Sequence, residues 1–61
     1  MVPVMYHYVI SEDMHMAIIR TDDGAVIEHT GPWALEEDCE NYFKRMTKLW
    51  EEHPEEMPIP E

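Results

Sequence analysis

Basic residues are scarce in this chain: four Lys and Arg stand against fourteen Asp and Glu, for a net charge of -10 over 61 residues. That scarcity disfavours direct binding to nucleic acid, where affinity comes mainly from Lys and Arg neutralising phosphates. It disfavours anionic membrane surfaces for the same reason. Cysteine occurs once, at Cys39, which rules out an internal disulfide and makes a reducing setting the simpler expectation. Ser11 is the only serine, and no Gly-x-Ser-x-Gly elbow, Walker loop, dinucleotide fingerprint or metalloprotease helix is present. No segment approaches the roughly 20 apolar residues that span a bilayer, and Met1 to Ile10 lacks the basic start and cleavage site of a signal peptide. A cytoplasmic protein is expected, in the host cytosol if phage-encoded.

What remains is short but not disordered. Hydrophobic residues make up 44% of the chain, with two Trp, three Tyr and one Phe, too many for a disordered segment. A single domain of this size buries only about 60% of the surface its unfolded chain exposes, so a thin core is expected, supplemented by association with another copy or a partner.

Three runs read as strands. Val4 to Ile10 is rich in β-branched and aromatic residues, with Pro3 tolerable at a strand start or sheet edge. Met14 to Thr21 follows after the turn-forming Ser11, Glu12 and Asp13, and Ala25 to Thr30 follows the Asp23-Gly24 turn signal. Short connections predict an antiparallel meander. Gly31 and Pro32 end the third strand, Pro32 being suited to a first helical turn. From residue 34 to 53, Leu35, Cys39, Tyr42, Met46, Leu49 and Trp50, flanked by Phe43, recur at the spacing of one buried helical stripe, which Pro54 terminates. Residues 55–61 are expected to run extended as an acidic, proline-containing tail. The predicted fold is therefore α+β, a three-stranded antiparallel β-meander followed by one C-terminal amphipathic helix packed on one face. Residues 1–54 form the domain.

One helix covers one sheet face. Strand one offers Val4, Tyr6, Tyr8 and Ile10 to one side and Met5, His7 and Val9 to the other. Both are fairly apolar, so the uncovered side is a candidate surface for a second copy or another protein. Met5, His7 and Val9 are named for that role.

The helix concentrates the negative charge. Glu36, Glu37, Asp38 and Glu40 lie near its start, where the helix dipole stabilises each by roughly 0.3 to 1 kcal/mol. Glu51, Glu52, Glu55 and Glu56 lie at the opposite end, where the same dipole disfavours them, with Lys48 placed to offset Glu51 or Glu52. A solvated face that serves solubility is one explanation. The other is a row of carboxylates imitating a phosphate backbone, since helix positions three or four apart lie about 5 to 6 Å from each other. Glu36, Glu37, Glu40, Glu51, Glu52, Glu55 and Glu56 are accordingly the candidate partner-binding residues. The implied partner is a basic protein of the kind that binds nucleic acid. Small acidic inhibitors of this kind are typical of phages and mobile elements.

His7, His15, His29, His53 and Cys39 match no metal-ligand spacing, and neither a metal nor a cofactor is expected. Cys39 reads as a small core hydrophobe. No enzyme is expected either, because acid–base catalysis needs a partly dry cleft. The three-strand-then-helix order, with Leu35, Glu36 and Glu37 opening the amphipathic helix, resembles the partial double-stranded-RNA-binding fold of the HicB-type antitoxins. That resemblance implies a toxin-neutralising module, although no appended DNA-binding segment is visible. An accessory subunit, acidic only for solubility, is the third expectation.

Overall fold

The computed structural model describes residues 5–60 and forms strands β1 (Tyr6–Ile10), β2 (Met16–Arg20) and β3 (Val26–Thr30), then helix α1 (Glu36–Glu52). Each element lies within the span expected from sequence. The strands form one antiparallel sheet in the order β1-β2-β3, the meander that short connections favour. Pro3, Val4 and Glu61 lie outside the described residues, as does the expected start of strand one.

The register explains how the sheet divides into two faces. Tyr8 faces Ile18 and Ile10 faces Met16 across β1 and β2, while Met16 and Ile18 align with Thr30 and Glu28 of β3. These side chains share the helix side. The other side carries His7, Val9, Ala17, Ile19, Val26 and His29, from the pairs His7–Ile19, Val9–Ala17, Ala17–His29 and Ile19–Val26. Between Ile18 and Ile19 the β2–β3 register shifts. A bulge there breaks strict alternation, letting Ile27 sink into the core at 1% exposure while the adjacent Glu28 still reaches the helix.

Both turns depend on a left-handed residue. The β1–β2 connection is closed by Ser11 N–H donating to the His15 carbonyl (2.9 Å) and Met14 N–H donating to the Ser11 carbonyl (3.0 Å). Met14 has φ +65° there, a position usually given to glycine because a Cβ costs roughly 1–2 kcal/mol. The sequence reading begins strand two at Met14; the turn claims it instead, and the strand starts at Met16. In the β2–β3 turn Gly24 adopts φ +71° and donates to the Arg20 carbonyl at 2.8 Å. Arg20 grips Asp23 through Nε–Oδ1 (3.0 Å) and a second nitrogen–Oδ2 contact (2.7 Å), and Asp23 Oδ1 also accepts from Ala25 N–H at 3.1 Å.

The core is built where α1 packs against one face of the sheet, drawing on β2, β3 and the helix. Met16, Ile18, Ile27, Cys39 and Trp50 are its buried members, ringed by half-buried residues including Tyr6, Tyr8, Tyr42, Phe43, Met46 and Leu49. Full burial of an aliphatic or Met side chain contributes about 1.5–3 kcal/mol, so the fold rests on few residues. Aromatic pairs tie the helix along its length: Trp33–Tyr42 at 5.3 Å, Tyr8–Phe43 at 4.8 Å and Tyr6–Trp50 at 5.5 Å between ring centroids.

Two ends of the helix depart from expectation. Leu35, expected on the apolar stripe, is 59% exposed. It is the N-cap residue with extended backbone (φ -131°, ψ 137°), so its carbonyl starts the helix while its side chain leaves the stripe. Pro32 does not open the helix either; it follows a cis Gly31–Pro32 bond in the connection before Leu35. At the other end the tail is not extended from its start. A 3₁₀ turn spans Pro54–Glu56, with Glu56 N–H donating to the His53 carbonyl at 2.9 Å. Proline at its first position needs no donor. The chain then extends at Met57 (φ -67°, ψ 132°), whose Sδ accepts from the Tyr6 hydroxyl at 3.2 Å and which joins the rim of the core.

Candidate functional site

The seven carboxylates expected to act as one row form two groups. Glu36 and Glu37 belong to the first turn of α1 and Glu40 to the next; Glu51 and Glu52 close the helix, and Glu55 and Glu56 lie in the 3₁₀ turn. Glu40 and Glu51 are separated by about 16 Å of helix at 1.5 Å per residue. Into that gap fall Lys44, Arg45 and Lys48, all exposed. Lys44 pairs with Glu40 at 3.1 Å, and the Arg45 guanidinium lies 5.8 Å from the Tyr42 ring centroid. The helix surface is thus acidic at each end and basic in the middle, an alternation that the list of acidic residues alone conceals.

The two acidic groups differ physically. Glu36, Glu37 and Asp38 lie in the first turn of α1, where the dipole favours them. The last turn holds no basic residue. Among the described residues neither Glu51 nor Glu52 has an ion pair within 4 Å, so the offset by Lys48 expected from sequence is not made. Glu55 Oε1 lies 3.4 Å from His53 Nδ1. All four C-terminal carboxylates are exposed and fall within six residues; Glu51 and Glu52 lie at the helix end that disfavours them, and Glu55 and Glu56 in the 3₁₀ turn just beyond.

The helix also has two flanks. Toward β1, Glu36, Glu40 and Lys44 act electrostatically on Tyr8, whose phenol burial pushes above its ordinary value. Glu51 lines a shallow groove of about 170 Å³ with Met5, Tyr6, Phe43 and Thr47. Toward β3, Tyr42 donates to Glu28; burial first, and then this bond, raise the phenol to about 12. Trp33 Nε1 donates to Thr30 Oγ1 at 2.9 Å, fastening the β3–α1 connection.

Met5, His7 and Val9 are exposed, Met5 by 59% and Val9 by 51%; His7 and Val9 lie on the sheet face opposite α1, whereas Met5, just before β1, lines the groove beside Phe43 and Glu51. His7 Nδ1 lies 3.1 Å from Thr21 Oγ1. Ala17 is buried on this open face without joining the core, because it is small and lies between Val9 and His29 on the neighbouring strands. None of the open-face residues from His7 to His29 is an acid, Lys or Arg. Near the β1–β2 turn the face dips into a depression of about 480 Å³ that includes Ser11, Asp13, His15 and His29. There Ser11 donates to Asp13, holding its carboxyl below the usual range. Among the described residues no three His, Cys, Asp or Glu side chains are grouped so as to hold a metal ion.

Cys39 is fully buried and its Sγ lies 3.0 Å from Met16 Sδ. Burial chiefly, with Glu36 and Glu40, raises its thiol above the ordinary value, the opposite of what a nucleophile needs. No described helix is long and apolar enough to cross a membrane. Comparison with models of protein families, with curated proteins and with solved structures finds no match to this chain.

Proposed function

We propose that this protein is a small non-enzymatic binding module that engages a basic surface of a larger protein, of the kind that ordinarily holds nucleic acid. In this reading Glu51, Glu52, Glu55 and Glu56 occupy positions that phosphates would take, and the module inhibits its partner in the manner of phage-type acidic inhibitors. The observation that carries the reading is the concentration of these four exposed carboxylates within six residues, Glu51 and Glu52 in the last turn of α1, whose dipole opposes them, and Glu55 and Glu56 in the 3₁₀ turn just beyond, with no basic residue in the last turn of either. For Glu51 and Glu52 stability alone selects against that arrangement. Glu36, Glu37 and Glu40 form a secondary contact, separated from the first by Lys44, Arg45 and Lys48. That spacing calls for a partner with two basic patches. Charge would speed encounter and select the partner, while exposed apolar side chains such as Met5 and Val9 supply affinity.

Replacing Glu51, Glu52, Glu55 and Glu56 together by Lys tests the reading. Binding to a basic protein partner is expected to disappear while the circular dichroism spectrum and melting transition persist. Retained binding by the folded variant would sink it. Wild-type affinity should also fall steeply as ionic strength rises, because exposed charges more than about 8–10 Å apart are screened at physiological salt.

One observation favours a second reading. The order β1-β2-β3-α1 is the order implied by the resemblance to HicB-type antitoxins, and a toxin-neutralising module would use the same acidic surfaces on a single small basic toxin. A stoichiometric complex with a single small basic toxin, lost on the four Lys substitutions and formed while no nucleic-acid-binding protein is retained, would favour it.

A further inference from the structure

Strand β1 is a free edge whose unpaired backbone can be identified residue by residue. Thr21 N–H donates to the Met5 carbonyl and Ser11 N–H to the His15 carbonyl, each at 2.9 Å. With the β1–β2 register of His7 opposite Ile19 and Val9 opposite Ala17, these bonds show that the odd-numbered residues point their amides at β2. In an antiparallel ladder the residues between them point the other way. The N–H and C=O groups of Tyr6, Tyr8 and Ile10 therefore face outward, about 6.8 Å apart along the strand, while their side chains anchor the core. The sheet order β1-β2-β3 places no described strand on that side.

The two edges of the sheet are not alike. β3 is bulged opposite Ile18 and Ile19, a common way of blunting an edge. β1 is unbroken, and its sequence YHYVI contains no proline, glycine, Lys or acid. Alongside it the helix sets the groove that Glu51 lines together with Met5, Tyr6 and Phe43, with Glu36 and Glu40 farther along the same flank.

Resting on the reading above that the partner is basic, we propose that the β1 edge is the docking site for an extended, Lys- or Arg-bearing segment of that partner, added as a fourth antiparallel strand. Backbone bonds to Tyr6, Tyr8 and Ile10 hold the segment, and alternate side chains project toward the helix flank. There an alkyl stem lies over Phe43 and Met5 while its cationic head meets Glu51. Charge selects this occupant over a second copy: two chains of net charge -10 repel, whereas a basic strand meets Glu36, Glu40 and Glu51 together.

The probe is a synthetic capped peptide of about six residues alternating Lys and Val, enough to span β1, compared with an alternating Glu and Val peptide and with the Lys–Val peptide N-methylated at alternate residues. Amide hydrogen exchange is read by NMR on the intact protein at low ionic strength. Saturating Lys–Val peptide is expected to slow exchange at Tyr6, Tyr8 and Ile10 at least about tenfold, with His7 and Val9, already paired to β2, changing far less. Neither control should do so, and Glu51→Lys should weaken binding about tenfold or more.

Salt-sensitive binding of the Lys–Val peptide with unchanged exchange at those three amides would overturn the strand-addition proposal and leave the basic-partner reading standing. Absence of binding overturns the proposal, and the four-Lys variant of the preceding section still judges the reading separately. Protection of the three amides in the protein alone, growing with its concentration, assigns the edge to a second copy and also overturns the proposal.

Discussion

A Cβ added to Gly31 would lie 2.8 Å from the carbonyl oxygen of Met14 and 3.0 Å from the His15 Cα. The same Met14 carbonyl accepts from Trp33 N–H at 2.8 Å, so the β1–β2 turn and the β3–α1 connection are fastened backbone to backbone. Gly31 also has φ +124°, a region that L side chains rarely adopt. Gly31→Ala is therefore expected to destabilise the fold by about 2–4 kcal/mol, from backbone strain together with the unrelieved contact. Met14→Gly, in the adjoining turn, should change stability by less than about 1 kcal/mol, because relief of about 1–2 kcal/mol of left-handed strain opposes lost burial of a half-buried side chain. Urea denaturation of both variants tests the contrast, and equal losses would contradict it.

Asp23 gives the fold an acid-sensitive element. The Arg20 guanidinium bonded to it, followed by the Ala25 amide, lowers its carboxyl from the usual 3.8 to about 2. A carboxyl depressed in the folded state contributes stability that is present above its unfolded value and is lost as pH falls through the folded one. Melting temperature should thus decline between about pH 4 and pH 2, and Asp23→Asn should flatten this part of the profile. An unchanged slope in that variant would assign the acid sensitivity to other groups.

Cys39 is expected to resist alkylation in the folded protein and to react once it unfolds, since burial, Glu36 and Glu40 all disfavour its thiolate. The labelling rate in urea should follow the unfolded fraction. Cys39→Ser should cost about 1–3 kcal/mol, the penalty of placing a hydroxyl without a compensating bond in an apolar core. Rapid labelling in native buffer would show that the helix lifts from the sheet locally.

The tail contributes to the fold through Met57. Its sulfur accepts from Tyr6, and its side chain packs with the residues around the core. Met57→Ala is expected to destabilise by about 1–2 kcal/mol, below the roughly 2–5 kcal/mol of a fully buried methionine because this one is half-buried. Ile59→Ala should be neutral, as Ile59 is 91% exposed. Identical denaturation curves for wild type and Met57→Ala would mean the tail is dispensable.

Tyr42 and Glu28 link the helix to the β3 edge. Tyr42→Phe removes the donor to Glu28 and should cost about 1–2 kcal/mol, the range for a bond to a charged acceptor that is partly exposed. The folded phenol titrates at about 12 against an ordinary 10.0. Stability tied to its protonated form is present below pH 10 and is lost as pH rises toward 12. Alkaline unfolding should accordingly move to higher pH in Tyr42→Phe relative to its own neutral stability.

Local chemistry made much of this architecture legible without coordinates. Alternating β-branched and aromatic residues marked the strands, Asp23-Gly24 marked a turn, and the spacing from Cys39 to Trp50 marked the buried helical stripe, because burial imposes periods of about 2 and 3.6 residues directly on the chain. The cluster at Glu51 and beyond was visible for the same reason. Leu35 escaped that logic: its spacing fits the stripe, but cap geometry turns its side chain away, and capping depends on how the preceding segment arrives.

Only three-dimensional assembly determined the rest. The close approach of Gly31 to Met14 and the Tyr6–Met57 bond connect residues distant in sequence, and no periodicity encodes such pairs. The placement of Ile27 and Glu28 together on the helix side follows from a register shift between strands. Even the charge pattern gained its meaning from the fold. A sequence rich in carboxylates became two acidic groups separated by Lys44, Arg45 and Lys48, each with members flanking the open β1 edge, because where a charge acts depends on the face and end of the element that carries it.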